Sequence, residues 1–386
     1  MTKKYDAVIA GYLCVDMIPE FQKNGLETSL SALLKPGKLI EINGVAFSIG
    51  GVVANTGLAM KKFGVLIFLN GLIGNDIMGK IAGELLGKYQ LPGGIQITER
   101  DGTAFGIVLA PPGVDRIFLE SPGCSKIFDL GFIDFESVSQ SRLFHFGYPP
   151  LLRQFYLKNG EQLVTLFSQI KKMGVVTSLD FSLPDTQSES GKQDWLLIIK
   201  RVMPYTDIFV PSLEEAMQIM MPDEYNKILS NIGNTDILDL IPINIVREIG
   251  KRLIDFGVKI LLVKAGHRGI YLITGDISSL VSKGGLGLCV NEWNYRELWC
   301  NAYTTDPGKI KNASGAGDTA AAAFLTSILK GEKVEEAMKY AAIAGRNNLY
   351  CNDIFEELNN WQCMQNEMAT EPIEITDFEL IKLNML

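Results

Sequence analysis

The chain opens with a short, almost unbroken apolar run, residues 5–15 (YDAVIAGYLCV), that is rich in strand formers and stops at Asp16. This pattern predicts a buried first strand with a carboxylate at its C-terminal edge, the edge where open α/β sheets bind ligands, although an Asp there also suits a simple turn. Residues 39–42 and 45–49 flank Asn43-Gly44, a strong two-residue hairpin signal. Residues 50–64 (GGVVANTGLAMKKFG) then take helical spacing through Leu58, Ala59 and Phe63, so a helix is expected to start near Ala54. Gly50 and Gly51 just before it permit close backbone approach. Asn55 falls in the expected first turn, where it either caps the helix or offers a donor and an acceptor to a polyol.

Residues 102–121 alternate as a second hairpin, TAFGIVLA and DRIFLES joined through Pro111, Pro112 and Gly113. The two hairpins predict a small sheet, either a lid over a site or an extension of the main sheet. From residue 143 onward, strands and helices alternate: LFHFGY, a helix to Ile170, VVTSLDF ending at Asp180, a helix over 195–202, DIFVP, SLEEAMQIMM, a helix over 246–256, KILLVKAG and IYLIT. That rhythm predicts βα units and a mostly parallel sheet. Residues 223–245 and 282–297 interrupt it as insertions, and residues 332–348 resume helical spacing. No repeat or low-complexity linker divides the chain, so a single elaborated domain over residues 1–386 is expected, with lid segments near 18–48 and 96–125.

Residues 312–330 (NASGAGDTAAAAFLTSILK) carry the strongest chemical signal. Gly315 and Gly317 flank Ala316 directly before Asp318 and an alanine-rich stretch with the composition of a buried helix. Glycines at the mouth of a helix let a ligand approach unpaired N–H groups and the positive end of the dipole, so the junction suits an anion. A carboxylate there would repel a bound phosphate unless it has a separate task, for which general base is the candidate. An acid in a first turn is also favourable with no chemistry at all, so the tetrad alone leaves both readings open. Two other matches fail on context. Gly74, Gly79 and Lys80 fit a P-loop, but Ile81 stands where Ser or Thr must hold magnesium, and GAGDTA follows a poor strand for a dinucleotide fingerprint.

Composition narrows the class. With 47% hydrophobic and 21% charged residues the chain is globular, and a net charge of −8 argues against a nucleic-acid binder. Six cysteines without a CxxC pair and only two histidines, His145 and His267, make a zinc site unexpected. With no signal-peptide pattern and no apolar run approaching roughly 18 residues, a reduced, soluble, cytoplasmic protein that does not engage a membrane is expected.

Taken in order, Asp16, GGVVAN, GLIGNDIMG, Asp180, PSLEEA, VKAGHRG and NASGAGDT resemble the ribokinase-like carbohydrate kinase family, also called PfkB, over nearly the whole chain. The resemblance implies a three-layer α/β/α core with a mostly parallel sheet and a small β lid. It implies ATP and Mg2+ as cofactors and a small sugar or polyol as acceptor. By the same resemblance Asp318 is the catalytic base and Gly315, Ala316 and Gly317 form the anion hole. Asp16, Gly50, Gly51 and Asn55 contact substrate hydroxyls. Ser212, Lys264, Gly266 and Gly269 border the nucleotide, while Glu215 and Asp180 lie in the metal region and act through water. A helix N-terminus is expected to keep Asp318 ionised.

Three positions depart from the family pattern. Ser212 replaces the Asn of an NxxE motif. Asn312 replaces the first Asp of DTTGAGD, which weighs against a monovalent-cation site. Ser125 follows Gly123 and Cys124 where many sugar kinases read GAN. Two other functions stay in view: a nucleoside kinase, with Phe47, Phe105 and Phe118 as a slot for the base, and a sugar-binding regulatory protein without turnover. Exposed lid edges leave room for a homodimer formed through the lid.

Overall fold

A computed structural model describes residues 3–21, 35–91, 93–109, 117–233, 235–282 and 285–378. In chain order the strands are β1 (Tyr5–Gly11), β2 (Cys14–Phe21), β3 (Ile42–Gly50), β4 (Ile67–Gly74), β5 (Ile95–Thr98), β6 (Phe105–Leu109) and β7 (Ile117–Ser121). They continue with β8 (Ser141–Gly147), β9 (Val176–Leu179), β10 (Ile208–Phe209), β11 (Ile260–Lys264), β12 (Ile270–Thr274), β13 (Glu297–Cys300) and β14 (Ile375–Asp377). Ten form one sheet, ordered β14-β13-β12-β11-β10-β9-β8-β1-β4-β5. It is parallel from β11 through to β5, and β12, β13 and β14 extend it antiparallel.

Successive residues of a strand face opposite sides. Ala7 and Ile9 accordingly pack in one core and Val8 and Ala10 in the other, and Ile260 and Leu262 are likewise separated from Leu261 and Val263. Both faces are therefore covered, which is why these strands read as continuous apolar runs. One face carries helices α1 (Gly51–Lys62), α3 (Ala316–Lys330) and α4 (Val334–Asn348). The other carries the helices Arg153–Lys172 and Trp195–Val202, α2 (Leu213–Met220) and the helix Ile243–Asp255. Ala320 to Ala323 are buried where α3 packs between α1 and α4, small side chains suiting that close fit.

The other four strands form the small sheet, β3-β2-β6-β7. Here the first apolar run divides in two. Gly11, at φ +129, ends β1 against Gly147, and the chain enters the small sheet at Cys14. Asp16 is thus the third residue of a lid strand rather than the end of a core strand. The turn expected at Asn43-Gly44 is also absent: both residues lie within β3, and Gly44 pairs with Glu20 of β2. The second hairpin forms between β6 and β7, with its Pro111-Pro112-Gly113 turn outside the described residues. Residues 95–98 join the large sheet rather than the lid.

Helix α1 begins at Gly51, three residues before the expected start, so Asn55 lies in its second turn and does not cap it. The segment expected as an insertion over 223–245 overlaps the helix Pro222–Ser230, and the tail beyond residue 349 supplies β14 to the sheet. No helix among the described residues is long and apolar enough to cross a membrane.

Candidate active site

The glycine-rich junction enters α3 at the same end of the sheet where β8, β9 and β11 finish. Gly315 is the N-cap of α3 and is left-handed, at φ +74, ψ 1, a conformation that glycine adopts without the penalty of a Cβ. The loop is braced from α4. Asn348, fully buried, donates from Nδ2 to the Ser314 carbonyl at 2.8 Å and accepts from Thr319 Oγ1 at 2.8 Å. Asn312 Oδ1 accepts the Ser314 N–H at 2.8 Å, so the residue that departs from the family motif stiffens the loop. The Ala316 N–H leans on the Ala313 carbonyl at 3.4 Å. The N–H groups of Gly317 and Asp318 sit at positions that have no partner within a helix.

Asp318 is the third residue of that helix and only 3% exposed. Tyr148 Oη donates to both carboxylate oxygens, at 2.7 and 2.8 Å, and Asn55 Nδ2 donates to Oδ2 at 2.9 Å. Burial pushes the Asp318 carboxyl up, against Lys264 and these two hydrogen bonds, which favour the charged form. The helix N-terminus is expected to keep Asp318 ionised; burial acts against it and raises the pKa above the ordinary carboxylate value, which makes the carboxylate a stronger base.

Lys264, the last residue of β11, is the cation of the site. Its Nζ reaches Asp180 Oδ1 at 2.9 Å and Oδ2 at 3.2 Å, and a methyl group built on Gly317 would lie 3.6 Å from it. Burial alone would discharge this ammonium, but Asp180, Glu215 and Asp318 together hold its pKa above the ordinary lysine value. Burial in turn raises the pKa of Asp180, with Lys264 opposing, and does the same to Glu215. Beneath them His145 is buried and accessible to neither solvent nor a carboxylate; burial and Lys264 lower its pKa to about 3, so it is neutral, its Nδ1 2.9 Å from Ser178 Oγ.

Ser212 and Glu215 already have a structural task, as the two ends of a capping box on α2. The Ser212 N–H donates to Glu215 Oε2 at 2.7 Å, and the Glu215 N–H donates to Ser212 Oγ at 3.2 Å. Gly266 and Gly269 turn the chain from β11 to β12, closed by the Ala265 N–H on the Gly269 carbonyl at 2.8 Å, and a Cβ on Gly269 would meet the Cys300 carbonyl at 2.1 Å. Packing accounts for that glycine whether or not a nucleotide binds.

Across from this group lies the lid cluster. A Cβ on Gly50 would come within 2.3 Å of Asp16 Oδ2, so only glycine leaves room for that carboxylate; Gly106 of β6 closes its other side. Gly51, at φ +83, lies against the Tyr12 carbonyl. Burial pushes the Asp16 carboxyl up to about 6, with Cys14 Sγ at 3.6 Å from Oδ1 opposing and Glu120 adding to the rise. Tyr12 hydrogen-bonds Glu120, and its ring stacks on Tyr148 at 6.4 Å between centroids. Of the three phenylalanines considered for a nucleobase slot, Phe47 and Phe118 are exposed, and Phe105 packs against the core.

Apart from Ser212, Gly266 and Gly269, which serve the cap of α2 and the β11–β12 turn, the sequence-predicted residues fall into two groups. Asn55, Asp180, Glu215, Lys264 and Asp318 with its glycines converge, whereas Asp16, Gly50 and Gly51 line the lid side. Tyr148 and Asn348 were not anticipated. Tyr148 is left-handed, at φ 62, ψ 46, immediately before Pro149, where an extended conformation is usual. For a bulky residue that conformation costs roughly 1–2 kcal/mol, and such strain collects at functional positions. The one sequence signal for it was its place just past β8, beside β1.

Known proteins resemble this chain in sequence and in fold. A 25% identical relative, an uncharacterized sugar kinase from Archaeoglobus fulgidus, aligns over 72% of this chain and 89% of its own. Among solved structures, Arabidopsis thaliana ribokinase complexed with ribose and ATP superposes with a TM-score of 0.68 at 18% identity, covering 95% of this chain and 98% of its own. A Methanocaldococcus jannaschii nucleoside kinase of the ribokinase family gives 0.62 at 15%, covering 96% and 100%. The fold is thus ribokinase-like. The model of the pfkB family of carbohydrate kinases matches residues 13–349, most of the chain, and the protein belongs to that family.

Proposed function

We propose that this carbohydrate kinase transfers the γ-phosphoryl group of ATP to a hydroxyl of a small sugar or polyol, with Asp318 as general base. The observation that carries the reading is Asp318 itself: a buried carboxylate in the first turn of α3, held by Tyr148 and Asn55 and lying within the field of Lys264. Asp318 accepts the proton of the acceptor hydroxyl as the oxygen attacks. The loop from Gly315 to Gly317 presents N–H groups to the transferring phosphoryl oxygens, and Lys264 offsets their growing charge. Asp16 and the backbone at Gly50 and Gly51 orient the acceptor from the lid side, and positioning of this kind accounts for much of the rate in phosphoryl transfer.

Among the described residues no three His, Cys, Asp or Glu side chains converge as metal ligands. Two carboxylates, Asp180 and Glu215, do border the phosphate end, and that donor set fits a magnesium ion that keeps most of its waters and rides on the triphosphate. Such an ion would neutralise phosphate charge. Asn312, engaged with Ser314, leaves a monovalent cation without the acid its site has in the family.

The test is an ADP-release screen over sugars, sugar phosphates, polyols and nucleosides, run in parallel on Asp318→Asn. One acceptor class should stimulate ADP release, and the variant should lose about 10²–10⁴-fold in kcat while still binding ATP. Equal turnover by the variant would remove Asp318 from the role of base. Stimulation by nucleosides alone would assign the acceptor as a nucleoside, and binding of sugar and ATP without turnover would make the protein a sensor.

A further inference from the structure

A cavity of about 510 Å³ lies against Tyr12 and is not lined by Asp318. Neither Asp16, Asn55 nor Asp318 lines it, yet Tyr12 belongs to both places: its ring stacks on Tyr148, whose hydroxyl holds Asp318. The cavity runs from the lid strand β7, through Phe118 and Glu120, to the loop over residues 184–190. Its size falls within the range of small-molecule sites, roughly 300–1,000 Å³.

Its walls are organised for a particular chemistry. Glu189 is fixed by Arg153, which donates from Nε at 2.6 Å and Nη2 at 2.7 Å, and by Tyr156 Oη at 3.2 Å. Glu120 is held from the other side by Tyr12. Ser190 borders the cavity, is 6% exposed, and its Oγ has no hydrogen-bond partner, a cost normally avoided unless a ligand or water completes it. Phe118, 47% exposed, adds an apolar face to those of Tyr12 and Tyr156. Ionised carboxylates only accept hydrogen bonds, and so match a ligand rich in hydroxyl donors. The Arg153 charge is taken up by Glu189, and the other charged walls are Lys126 against Glu120 and Asp185, a balance that opposes a second anion, so a neutral ligand fits better than a phosphorylated one.

We propose that this cavity is a distal subsite for an elongated neutral acceptor, a disaccharide or glycoside whose reacting unit lies at Asp318 and whose second ring lies between Phe118, Glu120 and Glu189. The assignment rests on the kinase reading for the reacting end, but binding tests it without turnover. Titration calorimetry would compare a panel of neutral disaccharides and methyl and phenyl glycosides with their component monosaccharides, using the parent protein, Phe118→Ala and Ser190→Ala. Each variant would first be checked for a parent-like melting temperature.

At least one elongated sugar should bind the parent ten times or more tighter than either component, and that ratio should fall to threefold or less in Phe118→Ala and decrease in Ser190→Ala. Equal affinity for long and short sugars across the panel overturns the subsite, as does a ratio that survives both substitutions. A preference for the elongated sugar that depends on Phe118, without ADP release, would sustain the subsite while overturning the kinase reading. ADP release with monosaccharides and no gain on elongation would do the reverse.

Discussion

Two acidic clusters lie on either side of the Tyr12–Tyr148 stack, one buried around Lys264 and one half-buried to exposed on the lid side, and they are built on opposite electrostatic plans. Asp180, Glu215 and Asp318 surround Lys264, a cation held charged by the three of them. Asp16 and Glu120 share the lid side with Tyr12 and Cys14, and among the described residues no lysine or arginine figures among the charges acting on either. The first arrangement suits a place where phosphate charge must be received and moved. The second suits contact with hydroxyls, since a carboxylate lacking a cation keeps its accepting capacity for a ligand. The burial that is compensated in the first cluster is left standing in the second, so the same kind of side chain should respond to substitution with opposite signs.

The largest effect on stability is expected at Lys264. Lys264→Met leaves buried Asp180 and Asp318 and half-buried Glu215 without their cation and should destabilise the fold by about 3–5 kcal/mol in urea unfolding, with activity falling on the order of 10²–10³-fold. A stability change below about 1 kcal/mol would show that the cluster does not depend on its lysine.

Asp16→Asn should move stability the other way. The folded pKa of Asp16, about 6, lies above the ordinary carboxylate value, so stability associated with its protonated form is present at low pH and is lost as pH rises through about 6. The amide should therefore stabilise the protein by roughly 1–3 kcal/mol at neutral pH, with the gain fading toward the ordinary carboxylate pKa. At the same time kcat/KM for the acceptor should fall about 10–100-fold as a charged hydrogen bond is lost. Destabilisation at neutral pH would place a cation partner at Asp16 and dissolve the contrast between the clusters.

How far each cluster could be read from sequence follows from how it is assembled. Gly315, Ala316, Gly317 and Asp318 are contiguous, and a local run of backbone dictates their geometry, so the glycine-rich loop was legible as a string. The alternation of strands and helices likewise exposed the layered core, because strands buried on both faces are apolar throughout. Asp16 was legible as a residue but not in its place: a left-handed glycine, Gly11, divides what reads as one strand, and nothing in the apolar pattern marks a change of sheet. Asn43-Gly44 misled for a related reason, since turn propensity yielded to pairing along β2. Asn55 reads as a ligand contact, yet its Nδ2 is engaged with a carboxylate 263 positions away in sequence. Tyr148 and Asn348 act wholly through such long-range contacts, which no local spacing encodes.

The smallest expected effect lies at Tyr148, where the two clusters touch through the Tyr12 ring. Its hydroxyl donates to both oxygens of Asp318 and so favours the ionised carboxylate. Tyr148→Phe keeps the ring, the stack on Tyr12 and the left-handed backbone, and removes the donor. The Asp318 pKa should then rise further. Because the base must be ionised to take a proton, activity is lost first at the acid side, and the acid limb of the kcat/KM profile should move to higher pH by roughly half a unit to one unit. The loss at the pH optimum should stay below about tenfold, since Asn55 still holds one oxygen. A merely structural tyrosine would change the melting temperature and leave the acid limb where it was. A shift of that limb to lower pH would mean that the phenol competes with the acceptor for Asp318 rather than preparing it.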